Sequence, residues 1–305
     1  MAYDAQGARK DFDRGLRRHA RAELRKRLRR EPRDALTMLP FDDVIEALGR
    51  RSQTDLGIQT IRLDSIVGTV GRHDEFDRAL RPATKKLRSR WLGVAASRRS
   101  GKDMPPIDVY RVNGLHFIED GHHRVSVALA MGDTTIEAHV REVRTELGAE
   151  PDLRISQLTL KHHERLFHER VPLPAAERAQ IKLTDEWRYA QLAGLIEARG
   201  YRESHAQGRL IPRRELALSW FHEQYEPVVA RLRERGAGGP GTDTDRYLRF
   251  AMLRFLLLHT HEWTEDAIER LLMEIRPPSA DDDTLVHQIL KEMQPPTLTR
   301  RRSQS

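Results

Sequence analysis

The 305-residue sequence contains no cysteine, which excludes disulfides, thiolate metal sites and cysteine nucleophiles and fits a reducing, cytoplasmic setting. Aromatic residues are sparse at 6%, and 38% hydrophobic against 32% charged residues predicts a soluble, well-hydrated surface. Long hydrophobic runs are missing too. The most apolar window, Phe250 to Leu258, is interrupted by Arg254 and falls far short of the roughly 20 residues a membrane span needs, so it reads as a core helix. The first thirty residues are charged throughout, unlike a signal peptide. What is present is a basic balance, 53 Lys and Arg against 46 Asp and Glu, for a net charge of +7 and a pI near 9.8. This excess favours nucleic acid or nucleotide partners and disfavours basic ones, while the lack of an apolar span argues against a membrane. The length allows two domains, each with its own core.

The stretch Ile107 to Val143 organises the chain. Ile107 to Val112 and Leu115 to Glu119 are strand-like and flank Asn113-Gly114, a two-residue loop whose tolerance of positive φ predicts a hairpin. The second strand runs into Asp120-Gly121-His122-His123-Arg124, after which Val125 to Met131 is helical in composition and Gly132 supplies a C-cap. A polar loop at a helix start offers unpaired backbone N–H groups, with Gly121 permitting close approach and His122, His123 and Arg124 adding donors and charge. That pattern points to an anion site, foremost for phosphate. Asp120 either caps the helix or orients a hydroxyl, and His122 is placed to bond a phosphate oxygen or shuttle a proton. The adjacent His122 and His123 point apart and make a poor metal site.

Residues 9 to 33 hold twelve Lys and Arg, among them Arg25, Lys26, Arg27, Arg29 and Arg30. Phe12, Leu16, Ala20, Leu24 and Leu28 recur every fourth residue, predicting a basic amphipathic helix ended by Pro32. It either folds one edge over the body or neutralises nucleic-acid phosphates. A short helix is expected from Phe41 to Leu48, a strand from Ile58 to Leu63, and a glycine loop at Val67 to Arg72, where Arg72 is a second candidate phosphate ligand. Asp74 to Arg99 reads as a basic helix anchored by Trp91, and Thr135 to Val143 as a strand with one buried face.

This succession of strand, loop, helix, Pro-Pro, hairpin, D-G-H-H-R, helix and strand resembles the ParB N-terminal and sulfiredoxin-like superfamily over about Ile58 to Val143, most tightly from Pro105 onward. The resemblance implies a small α+β domain that binds a nucleotide diphosphate or triphosphate, with Mg²⁺, at the loop carrying Gly121 and Arg124. Sulfiredoxins need a Cys where this chain has His122, so that activity is excluded. ParB proteins carry G-E-R-R, and His122-His123 replaces the central pair, leaving nucleotide binding but not the hydrolytic clamp as the expectation. Free-serine kinases of this fold carry D-G-H-T-R, which Asp120, Gly121, His122 and Arg124 match, and the resemblance gives Asp120 the polarising role in a small-molecule kinase.

Beyond Val143, Thr145 to Pro151 reads as a linker, Ser156 to Phe167 as the start of a helical run with a solvated histidine cluster at His162, His163 and His168, and Val171-Pro172-Leu173-Pro174 as a rigid joint. An all-helical domain follows. Its expected helices are capped by Thr184 and ended at Gly200, introduced by Pro212 over Leu216 to Arg233, placed at Asp245 to His259 after a Gly-rich break, and opened by Thr264 and Asp281. The resulting divisions are a basic helical segment at 1–50, the ParB/sulfiredoxin-like domain at 51–146, an all-helical domain at 152–294 and a disordered tail at 295–305. Exposed aromatics in the helical part favour a homodimer. The expected function is a ParB-like nucleotide-binding protein associated with DNA in a partitioning or regulatory role. The alternatives are the kinase and an interaction protein that keeps the fold without the ligand.

Overall fold

The computed structural model describes residues 2–32 and 34–274 and divides into two units, 1–165 and 166–305. The helix expected at Asp281 and the tail at 295–305 lie outside the described residues. The first unit is a mixed α/β layer structure. It runs through α1 (Ala2–Leu28), β1 (Leu39–Pro40), α2 (Phe41–Leu48), β2 (Arg50–Arg62), β3 (Ile66–Thr69), α3 (Arg88–Arg99), β4 (Ile107–Val112), β5 (Leu115–Asp120), α4 (His122–Met131), β6 (Thr135–Thr145) and α5 (Leu158–Arg170), within which the division falls.

The six strands form one sheet in the order β1-β3-β5-β4-β6-β2. Its centre is the hairpin foretold by Asn113-Gly114, whose φ values of 50° and 81° are those a two-residue primed turn demands. On one face, α1, α3 and α4 bury Phe12, Trp91, Val125 and Ala128 against Ile107, Val109, Ile118 and Val140. Phe12 and Trp91 meet edge to face at 5.6 Å, a contact worth about 0.5–1.5 kcal/mol beyond the area buried. On the other face Phe41, Val44 and Leu48 of α2 cover Val67, Val112, Phe117 and Val143. Leu147, Leu153 and Leu158 join that second core, so the stretch read as a linker packs as part of the unit.

Three local expectations are corrected here. Val67 to Arg72 is not a glycine loop throughout: Ile66–Thr69 is a buried interior strand, parallel to both neighbours. A Cβ on Gly68 would overlap the Phe117 ring and the Leu39 carbonyl, so this glycine serves strand packing and not ligand access. Helix does not span Asp74 to Arg99. Residues 74 to 84 turn around Asp77, whose carboxylate accepts from the N–H of Ala79 and Arg81 at 3.0 Å, and Pro82 follows. Finally, the strand expected from Ile58 begins at Arg50 and pairs antiparallel with β6 along its length.

The second unit is helical: α6 (Ala175–Gln180), α7 (Glu186–Gln207), α8 (Arg213–Trp220), α9 (Glu226–Glu234), α10 (Asp243–Leu258) and α11 (Glu265–Glu274). Trp220, Tyr225 and Tyr247 form its aromatic centre, with Trp220 Nε1 donating to Tyr247 Oη at 2.9 Å. Asp185, not Thr184, caps α7 by accepting from the Trp187 N–H. The helix runs through Gly200, where a Cβ would overlap Leu216, and ends at Gly208 in the left-handed conformation. Gly200 is thus a helix-packing site and not a terminator. The single helix read over Leu216 to Arg233 is two, joined by a π turn at Phe221–Tyr225. His168 is buried, unlike the solvated face expected of its cluster. No described helix is long and apolar enough to cross a membrane.

Candidate phosphate loop and basic helix

The sequence that builds the D-G-H-H-R loop is local. Strand β5 ends at Asp120, Gly121 turns the chain with φ 107°, and α4 starts at His122, so the histidines and Arg124 form its first turn. Asp120 does not cap that helix, and no side chain does. Its carboxylate instead accepts from Arg124 Nη2 at 2.7 Å and remains 62% exposed. The uncapped first turn directs its backbone N–H groups and the positive end of the helix dipole toward the loop. The close approach allowed by Gly121 is made from within, because a Cβ there would overlap Ile107.

His122 and His123 are buried beneath Phe76, whose ring is 6.1 Å from the first and 5.3 Å from the second. Burial lowers both to a pKa of about 4, reinforced by Arg72 at His122 and Arg90 at His123. Both are therefore neutral at pH 7 and add no charge to the loop. His122 Nε2 lies 2.7 Å from Thr69 Oγ1. Thr69 escaped the sequence reading because it sits in the segment taken for a glycine loop.

Arg124 is the most constrained member. Its Nη1 donates to the carbonyls of Pro105 and Pro106 at 2.6 Å each, and Nη2 holds Asp120. The guanidinium thereby fastens the Pro-Pro segment before β4 to α4. Arg72 stands near enough for its charge to act on His122, is half-exposed at φ 60°, and pairs with Glu75 at 3.1 Å. Arg72 thus brings a second guanidinium close enough to act on the loop that holds Arg124. Beside it opens a groove of about 440 Å³, of which Arg124 is the one loop residue in the wall. Arg98, Lys102 and Glu137 add charges, and Val94, Met104 and Ile136 add apolar surface. Arg98 is paired with Asp133.

The basic helix behaves differently along its length. Ala8 and Phe12 are buried, whereas Leu24 and Leu28 are 58% and 75% exposed, so the apolar stripe seats only the N-terminal half. Among the five residues singled out, Lys26 pairs with Glu23 at 2.8 Å and Arg29 lies 3.9 Å from Glu31. Arg25, Arg27 and Arg30, like Arg17, Arg18 and Arg21, have no ion pair among the described residues. Elsewhere arginines are commonly paired, as Arg111 is with Glu142 and Arg170 with Glu197.

In comparisons with known proteins, no family model, no curated protein and no solved structure matches the chain.

Proposed function

We propose that this is a ParB-like nucleotide-binding protein that associates with nucleic acid in a partitioning or regulatory role. The observation that carries the reading is the set of six arginines, five on α1 and Arg30 in the turn after it, that have no ion pair among the described residues. Unpaired guanidinium groups on an exposed helix attract phosphates, and each contact releases counterions from the duplex. The nucleotide part of the reading draws on the hairpin, Gly121 and the uncapped α4. For a nucleotide phosphate, the helix N–H groups and the free face of Arg72 supply donors of the right charge. Among the described residues no group of acidic or histidine side chains is arranged to hold a metal. A Mg²⁺ ion would accordingly arrive with the phosphates, its coordination completed by them and water, with Asp120 as the nearest carboxylate of the loop.

The test is binding of a labelled duplex by fluorescence anisotropy at low salt, with and without CTP, ATP or ADP plus Mg²⁺. Binding that weakens with salt and changes with one nucleotide is expected. No duplex binding at low salt refutes the nucleic-acid reading, and indifference to every nucleotide refutes the link between the two. A second reading, a small-molecule kinase, is favoured by one observation: Asp120 is exposed and freed from a capping role. Phosphorylated product from serine or a related hydroxyl compound supports it.

A further inference from the structure

The groove beside the loop opens where the sheet stops short. Strand β6 pairs with β2 from Thr135 onward, Thr135 facing Arg62 and Glu137 facing Thr60, but its pairing with β4 begins only at Ala138, opposite Ile107. Residues 135 to 137 therefore have no strand partner on the β4 side. The cause lies in the sequence just before β4. Pro105 and Pro106 carry no N–H with which to extend the ladder, and both of their carbonyls accept from Arg124 Nη1 at 2.6 Å. An open strand edge of three residues, about 10 Å long, is left at the groove, whose wall includes all three.

The rest of the wall comes from α3 and the turn that ends it. Gly101 takes φ 74°, and the N–H groups of Gly101 and Lys102 donate to the carbonyls of Arg98 and Ser97 at 3.1 and 3.2 Å, which fixes Lys102 against the last turn of α3. Val94, Met104 and Ile136 give the groove its apolar surface, while Lys102, Asp103 and Glu137 line it as exposed residues. Two cations of the wall are already balanced, Arg98 by Asp133 and Arg124 by Asp120. Lys102, Asp103 and Glu137 have no ion pair among the described residues.

We infer that this groove binds a short apolar peptide, two or three residues long, with both termini free. Its volume of about 440 Å³ falls within the roughly 300–1,000 Å³ of small-ligand sites and cannot seat a folded domain. An open strand edge offers donors and acceptors to another backbone, and a peptide along it is held as an added strand is. The unpaired charges are of both signs, so a ligand with a carboxylate and an ammonium answers them, the first at Lys102 and the second at Glu137 and Asp103. A phosphate group would meet two carboxylates and one unpaired cation. Side chains of leucine type then cover Val94, Met104 and Ile136. Nucleotide at the loop is not required.

Calorimetric titration of the full-length chain with the dipeptide Leu-Leu at constant ionic strength tests the site, alongside N-acetyl-Leu-Leu and Leu-Leu amide. Saturable binding of Leu-Leu is expected, weakened about three- to fivefold by blocking either terminus, the size that exposed ion pairs allow. Glu137→Gln should weaken Leu-Leu by a similar factor and leave N-acetyl-Leu-Leu unaffected. Lys102→Gln should likewise weaken Leu-Leu and leave the amide unaffected. Failure of Leu-Leu to saturate by about 10 mM, equal binding of free and blocked peptides, or Leu-Leu affinity unchanged in both variants overturns the site. So does binding that survives both substitutions but is lost in Arg72→Gln, which assigns it to the phosphate loop.

Discussion

Thr69 Oγ1 lies 2.7 Å from His122 Nε2 while its own proton is directed at the Gly71 carbonyl. The Gly71 N–H also donates to that hydroxyl at 3.1 Å. With its hydrogen committed, the hydroxyl accepts from the ring, so His122 carries its proton on Nε2. One threonine therefore ties β3, the turn at Gly71 and the first turn of α4 together. Thr69→Val removes the acceptor and leaves a buried imidazole N–H unpaired, at an expected cost of about 1–3 kcal/mol. Thr69→Ser should recover most of it. Urea denaturation with an unchanged m-value checks both, and a Thr69→Val protein as stable as wild type refutes the coupling.

Three buried histidines give the first unit a defined acid sensitivity. His116, His122 and His123 are each lowered by burial from 6.5 to about 4. The unfolded chain binds their protons first as pH falls, so it gains relative to the folded state. Stability is complete above about pH 6.5, declines as pH falls, and the loss is fully developed below about pH 4. Urea midpoints between about pH 7.5 and about pH 5 isolate this effect from most carboxylates. His122→Gln should flatten the profile in that window, and a profile unaltered by the substitution would show that His122 is not buried neutral.

Gly121 and Gly132 bracket α4, both with positive φ, and predict a graded pair of variants. Gly132→Ala meets open space and costs about 1 kcal/mol through its backbone alone. Gly121→Ala meets the same backbone penalty and also drives a methyl into Ile107, so about 2–4 kcal/mol is expected. Thermal or chemical denaturation that ranks the two equally contradicts the close packing of Gly121 on β4.

What was legible in the sequence was what is decided locally. The bounds of α2, the Asn113-Gly114 turn and the Gly132 cap follow from residues whose backbone preferences act over a few positions. The first unit's sheet and the helical second unit were likewise legible as fold class. Gly68 and Gly200 misled because their glycine character answers a partner distant in sequence, Phe117 in one case and Leu216 in the other. A loop-like or helix-ending composition cannot reveal such a partner. The loop itself was placed, but its electrostatics were not, since the neutrality of His122 and His123 depends on Phe76 and on a turn around Asp77. Thr69 and Lys102 had no sequence signal beyond their type. The exposed end of α1 had one, in that Leu24 and Leu28 are surrounded by arginines that outnumber the two nearby acids, Glu23 and Glu31.

The arginines of α1 carry a quantitative expectation. Each phosphate contact on B-form DNA contributes about 0.9 to the slope of log affinity against log salt. Replacing Arg21, Arg25 and Arg27 by Gln should lower that slope by about 2–3 and weaken binding alike on unrelated sequences. Because these side chains lack partners within the described residues, stability should change by less than about 0.5 kcal/mol. A triple variant with the slope of wild type would remove α1 from the interface.

Arg124 and Asp120 separate architecture from chemistry. Arg124→Ala breaks three hydrogen bonds, two of them to backbone carbonyls that hold the Pro105-Pro106 segment, so a loss of about 2–3 kcal/mol is expected. Any ligand deficit in that variant then mixes lost charge with a loosened loop. Asp120→Asn is cleaner. The carboxylate is exposed and its pair with Arg124 spans one helical turn's spacing, an arrangement worth at most about 1 kcal/mol. The amide keeps an oxygen for Arg124 to bond. If the loop only binds nucleotide, Asp120→Asn should retain that binding within a few-fold, measured by calorimetry. If Asp120 polarises an accepting hydroxyl, the same variant should bind nucleotide normally while its phosphoryl transfer falls by about 100-fold or more. A folded Asp120→Asn protein with wild-type transfer would eliminate the kinase assignment for this carboxylate.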